Sequence, residues 1–287
     1  MSNTYVKDMT SGSITGHLVS FSLPLLAGNV FQQAYNMVDS IIVGRYVGAN
    51  ALAAVGAVGN LTFLFISLCV GLSSGIGILV SQHFGAKRED EVKTCITQAA
   101  YVSAISGIVM GVLAIVLAKP VLVLMNTPKE ILGDSIIYME IVCGCAVITS
   151  LYNAVSAILR ALGDSKTPLI FLVIASVVNI VLDVVFVVGL NLSVMGVAIA
   201  TIISQFFALL GSISFAVRTN SYFRLQKSDF QFNRTVSIKE VKMGLPLAAQ
   251  MSTIAISCVA LQYVVNGFGT LAIAAYTAYI ALILHQS

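Results

Sequence analysis

Apolar runs long enough to cross a bilayer recur seven times along this chain, and an eighth opens near residue 271. A membrane-spanning helix needs about 20 mostly apolar residues. Hydrocarbon offers no partner for backbone N–H and C=O groups, so each spanning segment must satisfy its own. The runs cover roughly 18–44, 51–80, 94–117, 134–159, 168–190, 194–217 and 243–266. Only 9% of the 287 residues are charged, against about 25% in a soluble domain. The fold class is therefore an all-α integral membrane protein, a polytopic helical bundle. The connections 45–50 and 190–193 are so short that the helices they join must run antiparallel. The first run, Leu18–Val43, is too long for a signal-peptide core and lacks a cleavage pattern, so it reads as a retained helix.

Basic residues set the orientation. With the N-terminus inside, Lys7, Lys87, Arg88, Lys93, Arg160, Lys166 and the six basic residues from Arg218 to Lys242 fall on inner segments. Only Arg45, Lys119 and Lys129 fall outside. This bias predicts a multi-pass protein of the inner (plasma) membrane with a cytoplasmic N-terminus. The segment Arg218–Lys242 alternates its charges with Phe223, Phe230 and Phe232 and reads as a cytoplasmic linker. A net charge of +3 gives no case for nucleic acid. Cys69, Cys95, Cys143, Cys145 and Cys258 are odd in number and form no CxxC, which points to packing rather than a disulfide or metal framework. His17, His83 and His285 are scattered, and no HExxH, GxSxG or Walker loop occurs. No enzyme activity and no cofactor are expected, and an ATP-driven pump is disfavoured.

A repeat crosses the linker. LPLLA at Leu23 matches LPLAA at Leu245, and VGANALAAVGA from Val47 matches FGTLAIAAYTA from Phe268. Pro24 pairs with Pro246, Gly48 with Gly269, and Ala53-Ala54 with Ala274-Ala275. Six spans separate the copies, so both enter the membrane in the same direction. Parallel repeats of this kind are a transporter plan. The expected domains are a six-helix lobe (1–217), the linker (218–242) and the start of a second lobe (243–287), cut from a twelve-span parent.

Two acids lie well inside spans, Asp39 and Asp183. Each costs roughly 2.5–3.5 kcal/mol to insert, so such acids face a bundle interior or a wet cavity. Around a helix, Asn29, Gln32, Gln33, Asn36 and Asp39 share one arc, as do Ser176, Asn179 and Asp183. Thr201, Ser204 and Gln205 share a face of the sixth span. Ser150, Asn153 and Ser156 add to the fourth, and Gln250, Thr253 and Ser257 to the seventh. Stripes on several helices predict a hydrated lumen. It carries carboxylates, amides and hydroxyls but no mid-span Lys or Arg, which suits a cation. Burial beside a second carboxylate disfavours charge, so such a site can exchange H⁺ or, with amide and hydroxyl oxygens, ligate Na⁺. Gly71-xxx-Gly75 and Gly107-xxx-Gly111 predict close helix contacts.

These stretches together resemble the multidrug and toxic compound extrusion (MATE) transporters. The resemblance rests on LPLLAGNVFQQAYNMVDSIIVGRYVGANALAAVG, ILVSQHFGAKRED, ILRALGDSKTPL, NIVLDVVFVVGL and MGVAIATIISQ, in the family's order. It implies two six-helix lobes around a cleft and export of amphipathic, often cationic, organic compounds against inward H⁺ or Na⁺. The family's first-lobe ion site falls on Asp39, Asn179, Asp183 and Thr201, the residues expected to hold H⁺ or Na⁺. Gln33, Asn36, Asn153 and Gln205 are the expected substrate-cavity contacts. Where some members have a seventh-helix glutamate, AAQMSTIAISCVAL has Gln250 and no acid. The expected partners are small organic substrates and the lipid bilayer, with the protein a monomer. A lipid-linked-oligosaccharide flippase of the same superfamily is one alternative, although its pyrophosphate calls for basic cavity residues absent here. An inactive truncated membrane fragment is the other.

Overall fold

The computed structural model describes the backbone of residues 14–283 and the side chains of 15–280. Lys7, Asp8 and His285 lie outside these. Among the described residues all regular structure is helical. In chain order the α-helices are α1 (Ile14–Ile42), α2 (Ala49–Gly85), α3 (Glu89–Leu124), α4 (Lys129–Gly144), α5 (Ala146–Ala161), α6 (Lys166–Asp183), α7 (Ser193–Thr219), α8 (Arg234–Asn266) and α9 (Thr270–Ile283). Wider π-type turns extend α1 over Val43–Val47 and α6 over Val184–Gly189. Short 3₁₀ turns at Ser221–Phe223 and Lys227–Phe230 lie between α7 and α8.

Helix starts follow local chemistry. Glu89, Asp90 and Glu91 open α3, where negative charge suits the N-terminal dipole. Asp164 accepts from the backbone N–H groups of Lys166 (3.1 Å) and Thr167 (2.9 Å), satisfying donors at the start of α6. Asn233 does the same for α8, accepting from Thr235 (3.1 Å) and Val236 (3.2 Å). That helix begins inside the stretch expected to be linker.

Among the described residues five helices are each long and apolar enough to cross a membrane, and a bent pair, counted as one span, makes six. α1 is long enough too, at 29 residues, but its amides dilute its hydropathy. The bent pair corrects one expectation. The run 134–159 is not a single helix: α4 and α5 meet at 47°. Both arms of the bend pack closely against α3. A Cβ on Gly107 would lie 2.5 Å from Val147 Cα, and one on Gly111 would lie 2.8 Å from Cys143 O. The two glycines thus seat both arms of the bend.

α2 is the central helix and packs antiparallel on α8 along most of its length. Gly75 meets Gly244, Gly71 meets Ala248, and the hydroxyls of Ser67 and Ser252 bond at 3.1 Å. Added Cβ atoms on Gly71 and Gly75 would come within 2.2 Å of α8 backbone. Near the far end, Asn60 donates to Gln262 (3.1 Å) and Gln262 donates to Asn266 (2.9 Å). Asn266 in turn donates to the Met125 carbonyl (2.9 Å). One apolar core, including Leu79, Val92 and Leu159, fills the end of the bundle where α2 meets α3; another, including Leu61, Leu122 and Met139, fills the end where α3 meets α4.

The repeat is visible in the backbone. Gly48 (φ 116°) joins α1's turn to α2, and Gly269 (φ 90°) joins α8 to α9, both in conformations that a side chain disfavours. Pro24 lies inside α1 and Pro246 inside α8. Ala53, Ala54 and Ala274 meet in one small core with Ile273.

Candidate functional site

The two mid-span acids converge. Asp39 lies in the last turn of α1 and Asp183 ends α6, and each is followed at once or within a turn by a π-type turn. These two turns touch each other. A π-type turn holds one residue more than an α-turn and often marks a functional site. Asp183 is fully buried. The carboxyl groups of Asp39 and Asp183 are near enough to interact directly. Oδ1 of each acid has no hydrogen-bond partner among the described residues. Buried orphan acceptors of this kind call for a water or an ion.

Asn179 lies one helical turn before Asp183. With its amide oriented so that donors meet acceptors, it donates to Asp183 Oδ2 (2.8 Å) and to the Tyr35 hydroxyl (3.1 Å). Its oxygen then accepts from the Thr201 backbone N–H at 3.1 Å. The Thr201 hydroxyl donates to Val197 O at 3.0 Å. The four expected ion-site residues therefore stand in one connected group drawn from α1, α6 and α7.

Two further residues belong here. Tyr35 bridges α1 to α6 and α7, and Tyr138 of α4 faces both acids. Tyr35 stands four residues before Asp39, on the same helix face, and that spacing was the available signal. Nothing in the sequence tied Tyr138 to the pair.

A cavity of about 170 Å³ adjoins the site, lined by Gln32, Tyr35, Asn153, Asn179, Thr201 and Gln205 among others. No Lys or Arg lines it. A second cavity of about 270 Å³ shares Gln32, Tyr152, Asn153 and Leu172 with it and reaches Arg160. Thr149 donates to Gln205, and Asn153 donates to Thr149 O at 2.8 Å. Asn153 and Gln205 thus line the space as expected. Gln33 and Asn36 do not line either cavity: they bond each other along α1 at 3.2 Å, and α1 offers Gln32 and Tyr35 instead. Around the helix, Gln33 and Asn36 lie farther from Asp39 than Gln32 and Tyr35 do. Of the α8 stripe, Thr253 and Ser257 donate to their own helix at Ala249 O and Thr253 O, and Gln250 is exposed.

Comparison with known proteins adds an independent finding. A family model described as MatE matches residues 24–185. The chain is similar to the probable multidrug resistance protein YoeA of Bacillus subtilis (strain 168): 33% identical over 270 residues, which are 89% of this chain and 57% of that protein. It is 30% identical to the probable multidrug resistance protein YpnP of the same organism, over 91% of this chain and 58% of that protein. Among solved structures it is similar to an inward-facing multidrug resistance MATE family transporter of the MOP superfamily. The TM-score is 0.80 at 25% identity, over 91% of this chain and 60% of that one. The chain spans a little under three fifths of the length of these curated relatives.

Proposed function

The chain belongs to the MatE family, and on that premise we propose that its parent protein is a secondary active antiporter. It exports amphipathic, cationic organic compounds against an inward flow of H⁺ or Na⁺. The observation that carries this reading is the pair of carboxyl groups, Asp39 and Asp183, side by side in a membrane-embedded polar group.

The chemistry runs as follows. One proton between the two carboxyls lets them touch. Its loss sets two negative charges together away from water, an arrangement relieved by taking up a cation or by parting α1 from α6. Ion occupancy then biases the protein between two conformations, because only one tolerates the empty pair. Asn179 fixes the direction of Asp183, and Tyr35 and Thr201 hold Asn179. The cavity contacts Asn153 and Gln205, with Gln32, would receive the polar parts of a substrate.

The protein is proposed to act as a monomer in the inner membrane with its N-terminus cytoplasmic. The test is efflux from everted vesicles holding the full-length protein, with pH and Na⁺ gradients imposed separately. Efflux driven by one of the two gradients and lost in Asp39→Asn is the expected result. Undiminished efflux in that variant would overturn the reading.

A further inference from the structure

Away from the carboxyl pair, a second cleft opens where α2, α3 and α8 meet, beside the segment that leads into α8. It encloses about 580 Å³. Leu72, Ile105, Val109 and Val241 form its apolar walls. Its two serine hydroxyls are already engaged: Ser106 donates to Ser103 O at 3.1 Å, and Ser237 donates to Gln98 Oε1 at 3.2 Å. A polar solute would lose its hydration there and gain nothing. A hydrocarbon chain would lose nothing.

The cleft's other end has a different character. Tyr101 and Phe232 stand there edge to face, 6.0 Å apart, an aromatic pair of the kind that sits at headgroup level. Arg234 and Lys242 line the same cleft, and both are exposed. Among the described residues neither forms a salt bridge. They are eight residues apart, about 12 Å along the helix axis, a gap that two long side chains can span. The charge bias places this end on the cytoplasmic side. Two unpaired cations there repel the cationic organic compounds proposed as substrates and attract an anion. The occupant that suits both ends has an apolar tail and a negatively charged head.

We propose that this cleft binds one anionic phospholipid of the cytoplasmic leaflet. Its acyl chain lies along Leu72, Ile105 and Val109, and its phosphate lies between Arg234 and Lys242. The lipid touches α2 and α3 on one side and α8 on the other, so it joins the first helical set to the first helix of the repeat. This proposal is independent of which ion the carboxyl pair holds.

Native mass spectrometry tests it. The full-length protein is released from nanodiscs that contain phosphatidylglycerol and phosphatidylcholine with identical acyl chains. Retention of one phosphatidylglycerol in preference to phosphatidylcholine is expected. Arg234→Gln and Lys242→Gln should each reduce that preference by about fivefold, the effect of one basic residue near a membrane surface. Lys227→Gln, an equal loss of charge outside the cleft, should leave it unchanged. Leu72→Trp, which fills the cleft, should remove the retained lipid whatever its head. Equal retention of the two lipids, or a preference that survives the Arg234→Gln/Lys242→Gln double change, would mean ordinary boundary lipid and would overturn the proposal. So would a dimer that Leu72→Trp dissociates, since a second copy would then be the occupant.

Discussion

The hairpin of α1 and α2 and the hairpin of α8 and α9 are two copies of one plan that spend their polar residues differently. Both carry an internal proline and a left-handed glycine at the joint, and both feed alanines into a shared core. In the first copy Asn29 and Gln32 of α1 line cavities, and Asp39 lies two turns beyond Gln32. In the second the position of Asp39 is held by Leu261, half exposed. The buried amides of α8, Gln262 and Asn266, are used to bind Asn60 and the α3–α4 connection. Backbone geometry makes the same demands on each copy, so prolines and glycines recur. The acid does not recur, since Leu261 stands at its place.

The largest expected effect separates the copies outright. In the full-length protein, Asp39→Asn should reduce ion-driven efflux from everted vesicles to background, while Leu261→Asn should leave it unchanged. Equal losses from both changes would break the comparison. Next comes Asn179→Ala, which frees Asp183 from its donor. Efflux should fall by about 10–100-fold, the usual cost of losing a group that orients an ion ligand.

The remaining tests read stability, by thermal unfolding of the purified protein. Gly75→Val pushes a branched side chain into the α8 backbone and should cost about 1–3 kcal/mol or more. Gly59→Ala, which meets open space, should cost nothing. Gln262→Leu leaves Asn60 and Asn266 short of partners and should cost about 1–3 kcal/mol, with efflux per folded molecule intact. The smallest effect is a matched pair. Gly48→Ala and Gly269→Ala each force a side chain into a left-handed joint, at about 1–2 kcal/mol. Similar losses would sharpen the claim that the two joints are equivalent.

Much of the site was legible because its residues announce themselves. Asp39 and Asp183 are costly in an apolar helix, and Asn179 and Thr201 fall on the faces that periodicity assigns them. Tyr35 and Tyr138 were not, since a tyrosine in a span is equally at home in a core or at a headgroup. The bend at Cys145 has no proline to mark it, and the α3 glycines that its two arms pack against are distant in sequence. The gathering of Gln262 and Asn266 onto α2 was hidden for the same reason. Periodicity reports which face of a helix is polar, but the neighbour that face will meet is a tertiary fact.

The segment before α8 is tied to α3 by two side chains. Gln98 donates to Gln231 O (2.9 Å) and accepts from the Asn233 N–H (3.0 Å), while Tyr101 holds the Phe230 carbonyl (2.9 Å). The ribosome makes Gln98 133 residues before Gln231, a lead of about 7–27 s at ordinary synthesis rates. Its docking site can therefore exist before the joining segment emerges. During biogenesis the second copy would then start from an anchor that the first has already placed, and its first helix would be aimed before it is complete.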